Sequence, residues 1–595
     1  MKTVKNNIKK MLEDMLMGKD VDAISDLLKT DKKTAKEIAI SIAVKTIILL
    51  KPTTIQAIMI YTLDSLKNNT KITEKEIYAV IDYMAGNDVL KTNILVPKNN
   101  TKQYFMIYNS LSKQLDEDAI LSIEGIEHPY PEAVEATEWK HTNFGGFKSY
   151  MNQSHISGNQ RLNEGIDLEY YASVNKLQKV AYQLEDRMLD KVSYPTDKST
   201  GYCKLKSTLR CADEMLKQGN KFYFQIKRDR NGRMYRTAYQ LNPQGSTSDK
   251  VLIKFANEQM LTERGLHWLG VAIAGVYGLD KKTFQQRSMW FSRNKHSLIK
   301  NHKRWISKAK DPLFMEYYLL ALRDHMDGKP TGVIMHLDHS ASAFQIYALL
   351  YSCKETAKLV NLASGNKIEN IQQIISDNIN SKFNIDTFTR DVVKSIFSPI
   401  SYCAGIKLIQ NILMDELKND YSDEIAEYAF DTVLNLSKSV GEGMNDIRSL
   451  YSDKKRYHTW ALPNGVKCIR PSKITEEVTI DTEAFGSLTH YREVVGATRR
   501  STGLASSVIH SVEAYWLSEV CMMSQFDLST NHDDYGVHPN NCDKLISNVK
   551  DVACKINDSN LLSDVLSMIS GKRIDVLKEN TLRNEEIRKS LHMVN

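Results

Sequence analysis

The sequence predicts an α+β protein that is predominantly helical, with short strands set among longer amphipathic helices. Three observations carry that expectation. The 595 residues are 42% hydrophobic and 25% charged, the balance of a globular protein with enough apolar volume for several structural units. Apolar residues recur at three- and four-residue steps through long stretches. Alternating or continuous apolar runs, the mark of strands, are short and local.

Taken in order, residues 1–165 read as short amphipathic helices joined by polar loops at 98–101 and 155–159. The most apolar stretch, 38–50, is interrupted by Lys45 and falls short of the roughly 20 residues a membrane span needs. A buried helix is expected there, and no membrane association. Lys5, Lys9 and Lys10 alternate with Glu13 and Asp14, which suits neither a signal peptide nor an acid-poor transit sequence. A cytoplasmic location is expected. Val174, Leu177, Val180, Ala181, Leu184 and Met188 step as one helical face, broken by Pro195. A second helix runs through Leu205, Leu209, Ala212 and Leu216 and ends near Gly219, after which Phe222, Phe224 and Ile226 alternate as in a strand. The segment 243–248 reads as a turn, and 332–337 as a buried strand.

Eight cysteines in this length, the closest pair being Cys203 and Cys211, argue against a disulfide scaffold or a zinc site. No Gly-rich loop ends in Gly-Lys-Ser/Thr, so a P-loop nucleotide cradle is not expected. The net charge is +7, and its placement says more than its size. From 221 to 240 there are six basic residues, among them Arg230 and Arg233, against Asp229 alone; from 287 to 310 there are eight basic residues, including Arg293, Lys300 and Lys303, and no acid, interleaved with Trp290, Phe291 and Trp305. One such cluster is equally a solvated helix face; two, with aromatics between the cations, point to a phosphate backbone with stackable bases.

Asp338 ends the apolar run and is followed by small residues from Ser340 to Ala343, leaving room for a metal ion and a substrate; read alone it is also a helix cap. His532-Asp533-Asp534-Tyr535-Gly536 places carboxylates beside a turn glycine. If folding joins Asp338 to Asp533, the pair could hold two Mg²⁺ ions roughly 4 Å apart, the arrangement for in-line phosphoryl transfer. Arg390 and Lys394 share a helix face one turn apart, and Tyr402 lies eight residues further on, roughly 12 Å along the axis and about the length of a nucleoside triphosphate. An amphipathic helix with surface cations and a core tyrosine is the plain alternative. Pro399 is expected to bend this helix.

Together these residues resemble the single-subunit DNA-directed RNA polymerases of the T-odd phage and mitochondrial type, here in a compact, divergent, phage-like form. Asp229-Arg230-Asn231-Gly232-Arg233-Met234-Tyr235, Leu241-Asn242-Pro243-Gln244-Gly245 and Lys250 resemble the opening of that family's palm. Asp338 with Ser340, Ser342 and Gln345 is similar to its first catalytic motif, Arg390, Lys394 and Tyr402 to its nucleotide-binding fingers helix, and His532-Asp533 to its second catalytic motif. His510, the segment Val174 to Gln178 and the segment Trp460 to Gly465 fall where similar elements occur, so the resemblance spans roughly 174–539.

The resemblance implies a right-hand fold with an antiparallel palm sheet, fingers and a reduced thumb. It implies a helical N-terminal domain over 1–165, thumb and palm entry over 166–220, palm over 221–345, fingers with a specificity hairpin over 346–505, and palm again over 506–595. Asp338 and Asp533 would hold two Mg²⁺ ions; Arg390 and Lys394 would bind the triphosphate, with Lys394 protonating pyrophosphate; Tyr402 and His510 would read the ribose 2′-hydroxyl. Arg233 and Tyr235 would lie near the incoming nucleotide, and His532 would support the catalytic turn. Arg230, Arg233, Lys250, Arg293, Lys300, Lys303, Arg499 and Arg500 are the expected nucleic-acid contacts, the last two behind a hairpin at Glu477 to Asp481 that would reach promoter DNA. Implied partners are a DNA template, nascent RNA and ribonucleoside triphosphates, with room for an accessory protein in promoter recruitment or melting, in a host bacterial cytoplasm if the chain is phage-encoded. Departures are a late glycine after Tyr402, a short thumb segment and a C-terminus ending His592-Met593-Val594-Asn595. The rivals are a family A type DNA polymerase, which would carry a Glu after its first catalytic Asp, and a catalytically inactive nucleic-acid-binding transcription factor, which would have no use for both aspartates.

Overall fold

A computed structural model describes residues 18–48, 53–66, 72–87, 89–95, 104–108, 130–141, 144–147, 155–156, 171–192, 200–365, 367–402, 404–417, 423–482, 486–496 and 502–595. The chain divides into two compact units.

The first unit comprises Met1–Tyr130, Pro195–Ser207 and Ile474–Val494. Helices α1 (Gly18–Leu28), α2 (Lys32–Ile48), α3 (Ile55–Leu66) and α4 (Glu74–Gly86) bury Ile24, Ile38, Ile42, Ile58, Ile77 and Ile81 in one core. The expected buried helix is α2. α4 starts on a capping box, Thr73 Oγ1 accepting from Glu76 N while the Glu76 carboxylate accepts from Thr73 N, which satisfies two donors that a helix start leaves open. Strands β1 (Thr53–Thr54), β2 (Lys91–Leu95) and β3 (Tyr104–Tyr108) form a small sheet with β3 central. The expected hairpin is present as strands Lys473–Thr482 and Gly486–Val495, and its Val478 packs against the same core. Among the described residues no helix is long and apolar enough to cross a membrane.

The second unit comprises Pro131–Tyr194, Thr208–Lys473 and Val495–Asn595. The helical face expected from Val174 to Met188 is not one helix. α5 (Ala172–Gln178) stops after two turns, β4 (Tyr182–Leu184) pairs antiparallel with β7 (Ile253–Phe255), and a 3₁₀ turn covers Asp186–Met188. Val180, Tyr182 and Leu184 also alternate, and a distant partner strand decides between the two periods. The second expected helix is α6 (Thr200–Lys217), closed by Gly219 at φ +98°. Phe222, Phe224 and Ile226 are all buried, and the hairpin strands proper are β5 (Ile226–Arg228) and β6 (Met234–Arg236).

Further on, α7 (Glu263–Ala274), α8 (Phe284–Lys300) and α9 (His302–Ile306) precede β8 (Met335–Asp338). Helix α10 (Ser342–Leu350) follows and, beyond its first residue, is buried throughout. Helix α11 (Arg390–Ser401) keeps Pro399 in its last turn. The long α12 (Thr502–Met523) leads to β9 (Leu528–Asn531) and β10 (Asp534–Val537). The sheet that joins the two halves of this unit has the order β8-β10-β9, antiparallel throughout.

Candidate active site

Strand pairing brings the two candidate aspartates together. Asp338, the last residue of β8, sits opposite Asp534, the first of β10. Asn531 pairs with Asp534 across the β9–β10 turn, so His532 and Asp533 form a two-residue loop, and His532 takes the left-handed conformation the loop needs, at φ +57°. His339 N then donates to Asp533 O at 3.2 Å, fixing the turn to the end of β8. Asp338, Asp533, Ser342, Arg390, Lys394 and Tyr402 all line one cleft of about 420 Å³.

The β9 side is anchored from far away in sequence. Gln244, in the Asn-Pro-Gln-Gly segment, accepts from Arg236 N at 2.8 Å and donates to Met234 O and Thr530 O, each at 3.1 Å. Arg236 is buried and donates to Thr530 O at 2.7 Å and to Tyr182 Oη at 3.0 Å. That segment is therefore a tie between the β5–β6 hairpin and the strand preceding Asp533. In the hairpin turn, the Asp229 carboxylate accepts from Asn231 N and Arg233 N, each at 2.9 Å, with Gly232 at φ +91°.

Electrostatically the cleft is a pair of carboxylates facing cations. Asp338 is exposed to the cleft, and partial desolvation with the neighbouring Asp533 and Asp534 carboxylates raises its carboxyl above the usual carboxylate range. Asp534 is held low despite burial by His336, whose Nδ1 lies 2.8 Å from its Oδ2, and by Lys250 at 3.6 Å. Lys250 thus belongs to the floor of the site. Neither Asp338 nor Asp533 has a salt-bridge partner among the described residues. Arg390 is tied only to the exposed Asp391 at 3.1 Å, its Nε is buried without a hydrogen-bond partner among the described residues, and Lys394 is exposed.

At the other end of the cleft, the Tyr402 and His510 rings lie 4.5 Å apart. Burial pushes the Tyr402 phenol up and the His510 imidazole down to about 3, so both are neutral near pH 7. His532 is likewise pushed down to about 4, by desolvation and then by Arg233, and meets the Tyr235 ring at 5.0 Å. Arg233 is paired to Glu513 at 2.9 Å.

Other expected contacts fall elsewhere. Arg228 and Arg236 are buried and internally bonded, so the first basic cluster is partly structural, while Arg230 sits half-buried in the hairpin turn. In the second cluster the aromatics are not a stacking platform: Trp290 and Trp305 pack on Tyr277 and on each other, and Phe291 is buried. Arg287 is buried too, donating to Leu279 O and Lys282 O at 3.0 Å each. Arg293, Lys300 and Lys303 are exposed, with no ion-pair partner among the described residues. Arg499 and Arg500 lie outside the described residues. Sequence reading gave no role to Glu513 or His336, and named Asp534 only as part of its motif. Glu513 carries a signal in retrospect, a lone carboxylate one turn after His510 amid Val508, Ile509, Val512 and Trp516. A segment at 592–595 was also unanticipated: Asn595 N donates to Asp338 O at 2.8 Å and Ser340 N to Met593 O at 3.1 Å.

A sequence model described as DNA-dependent RNA polymerase matches residues 259–401, the stretch holding Asp338, Arg390 and Lys394. The chain is similar to the single-subunit DNA-directed RNA polymerases. A probable DNA-directed RNA polymerase of Gelasinospora sp. (strain G114) is 22% identical over 482 residues, 70% of this chain and 57% of that protein. The DNA-directed RNA polymerase of Pseudomonas phage phiKMV is 22% identical over 387 residues, 56% of this chain and 47% of its own length. The mitochondrial DNA-directed RNA polymerase of Schizosaccharomyces pombe is 21% identical over 446 residues, 66% and 38% of the two chains. The chain therefore spans about half the length of these polymerases.

Among the described residues no cluster of three or more His, Cys, Asp or Glu is arranged to hold a metal ion. Mg²⁺ asks less of a protein: one or two carboxylates, with phosphate oxygens and water completing the shell. Asp338 and Asp533 fit that requirement, as hard oxygen donors left without a salt bridge in a shared cleft.

Proposed function

We propose that this chain is a DNA-directed RNA polymerase that extends RNA by transfer of nucleotidyl groups from ribonucleoside triphosphates. The observation that carries the reading is the single cleft in which two unpaired carboxylates from distant strands, Asp338 and Asp533, face Arg390, Lys394 and Tyr402. Asp338 and Asp533 would hold Mg²⁺, which would supply charge neutralisation for phosphoryl transfer. The protein's own part is positioning. Asp338 and Asp533 are fixed by the β8–β10 pairing and by the His339–Asp533 bond. Arg390 and Lys394, one helical turn apart on α11, grip the triphosphate, and Lys394 is placed to give a proton to departing pyrophosphate. The 3′-hydroxyl oxygen of the growing RNA bonds to the α-phosphorus, its proton passing to water, as the bond to the oxygen bridging to the β-phosphate breaks and pyrophosphate leaves. Tyr402 and the neutral His510 receive the ribose. His532 holds the turn that carries Asp533. The exposed cations of α8 and α9 provide a phosphate-backbone surface.

The test is extension of an RNA primer on a DNA template with Mg²⁺, comparing ribo- with deoxynucleotides for wild type, Asp338→Asn and Asp533→Asn. Each substitution is expected to lower ribonucleotide incorporation about a thousandfold, the worth of several kcal/mol of transition-state stabilisation. Elongation that survives either change removes the mechanism; preference for deoxynucleotides turns the assignment to a DNA polymerase.

A further inference from the structure

Glu513 is 5% exposed, on the inward side of α12 among apolar residues. A carboxylate in such a place costs several kcal/mol unless its charge is matched and its oxygens are bonded. Its partners come from three separate elements. Arg233 Nη2 from the β5–β6 turn lies 2.9 Å from Oε1. Ser342 Oγ, at the start of α10, and Tyr402 Oη, at the end of α11, each donate to Oε2 at 3.4 Å. One turn earlier on the same helix, the His510 ring lies against the Tyr402 ring at 4.5 Å. Tyr402 is therefore gripped twice by α12, through its ring and through its hydroxyl.

We propose that Glu513 is a positioning residue for sugar selection, orienting the Tyr402 hydroxyl so that its lone pairs face an incoming 2′-hydroxyl. The inference rests on the polymerase reading and extends it to a residue outside the recognised motifs. A phenol that donates its proton to Glu513 is left an acceptor on its other side. A ribose 2′-hydroxyl can donate to that acceptor; a deoxyribose leaves it unpaired, and an unpaired buried group is what makes a site discriminate. At 3.4 Å the contact is at the long end of hydrogen bonding, so the hydroxyl is aimed without being locked. The Arg233 ion pair holds the carboxylate in place and opposes the burial that pushes it up to about 7.

The experiment measures kcat/KM for a ribonucleotide and the matching deoxynucleotide on one primed DNA template, for wild type, Glu513→Gln, Tyr402→Phe and the double variant. Glu513→Gln keeps the shape but removes the charge that holds Arg233. It is expected to lower the ribo/deoxy ratio about tenfold, chiefly by raising KM for the ribonucleotide. The double variant should discriminate no worse than Tyr402→Phe alone, because Glu513 acts through that hydroxyl. An unchanged ratio in Glu513→Gln, an equal loss on both sugars, or additive losses in the double variant would each overturn the proposal. A wild-type protein that incorporates no ribonucleotide would bring down the polymerase reading itself, a failure visible before any variant is compared.

Discussion

His155 is a useful residue to follow because it lies outside the cleft and still titrates abnormally. It accepts from Arg228 Nε at 3.2 Å and is packed between Trp139 and Tyr171. Desolvation, then the Arg228 and Lys227 charges, push it down to about 2 from an ordinary 6.5. The unfolded chain takes up a proton near 6.5 that the native protein refuses. The stability it contributes is present above that pH and lost as the pH falls toward 2. His155→Gln, which can still accept from Arg228, should lack this dependence. Urea unfolding at about pH 7.5 and about pH 5.5 should show the wild type's advantage over the variant shrinking by about 1.4 kcal/mol. An unchanged gap would mean that His155 is protonated in the native state. At this scale the sequence was most legible where a residue's chemistry is its signature. Asp338, Asp533, Arg390, Lys394 and Tyr402 were all named from charge and spacing, and they meet in one cleft. Glu513 was not, because a single acid in an apolar helix identifies no partner until the fold brings Arg233 and Tyr402 to it.

Among the elements, the β8-β10-β9 sheet is the one on which the site depends, and Gly536 packs closely within it. A Cβ there would sit 2.8 Å from Ile334 Cγ2 and 3.0 Å from Ser529 O, and the carbonyl belongs to the neighbouring strand, so it cannot move aside without disturbing the ladder. Gly536→Ala is expected to cost about 1 to 3 kcal/mol, the usual toll of overpacking a filled interior, read as a lower thermal midpoint together with reduced primer extension. A variant as stable as wild type would show that the strands slide apart freely. The expected strand at 332–337 was legible from its apolar run, and it forms with its ladder over Met335–Asp338. The helix expected from Val174 to Met188 was misread because β4 pairs with β7, some seventy positions later, and local periodicity carries no trace of such a partner. Pro399 ends up in the last turn of α11, where its missing N–H removes the intrahelical bond to the carbonyl of Ser395.

At the level of the whole chain, charge placement separates into two kinds. Arg228, Arg236 and Arg287 are interior, whereas Arg293, Lys300, Lys303 and Arg304 stand exposed along α8 and α9. Composition alone could not make that division, since burial of an arginine depends on acceptors supplied by other elements, such as Thr530 O for Arg236. If the exposed group meets a nucleic-acid backbone, affinity for duplex DNA should fall linearly on a log scale with salt. Lys300→Ala with Lys303→Ala should make that slope shallower by about 0.9 per lysine. Identical slopes for the variant and the wild type would assign the patch to solvent. The first unit's helices were legible as short amphipathic segments, and the hairpin as a strand pair. That the hairpin shares a core with helices some four hundred positions earlier was not, because contact between distant segments leaves no local pattern.

The long stretch of chain between β8 and β10 has a consequence for biosynthesis. Asp338 leaves the ribosome long before Asp534 can pair with it, and the Gln244 and Arg236 tethers wait just as long for Thr530. A nascent chain halted between residues 310 and 533 holds its basic helices while lacking half of the proposed centre. Translation products truncated before that point should therefore lack the proposed activity, which should appear only once residues 533 and 534 have been made.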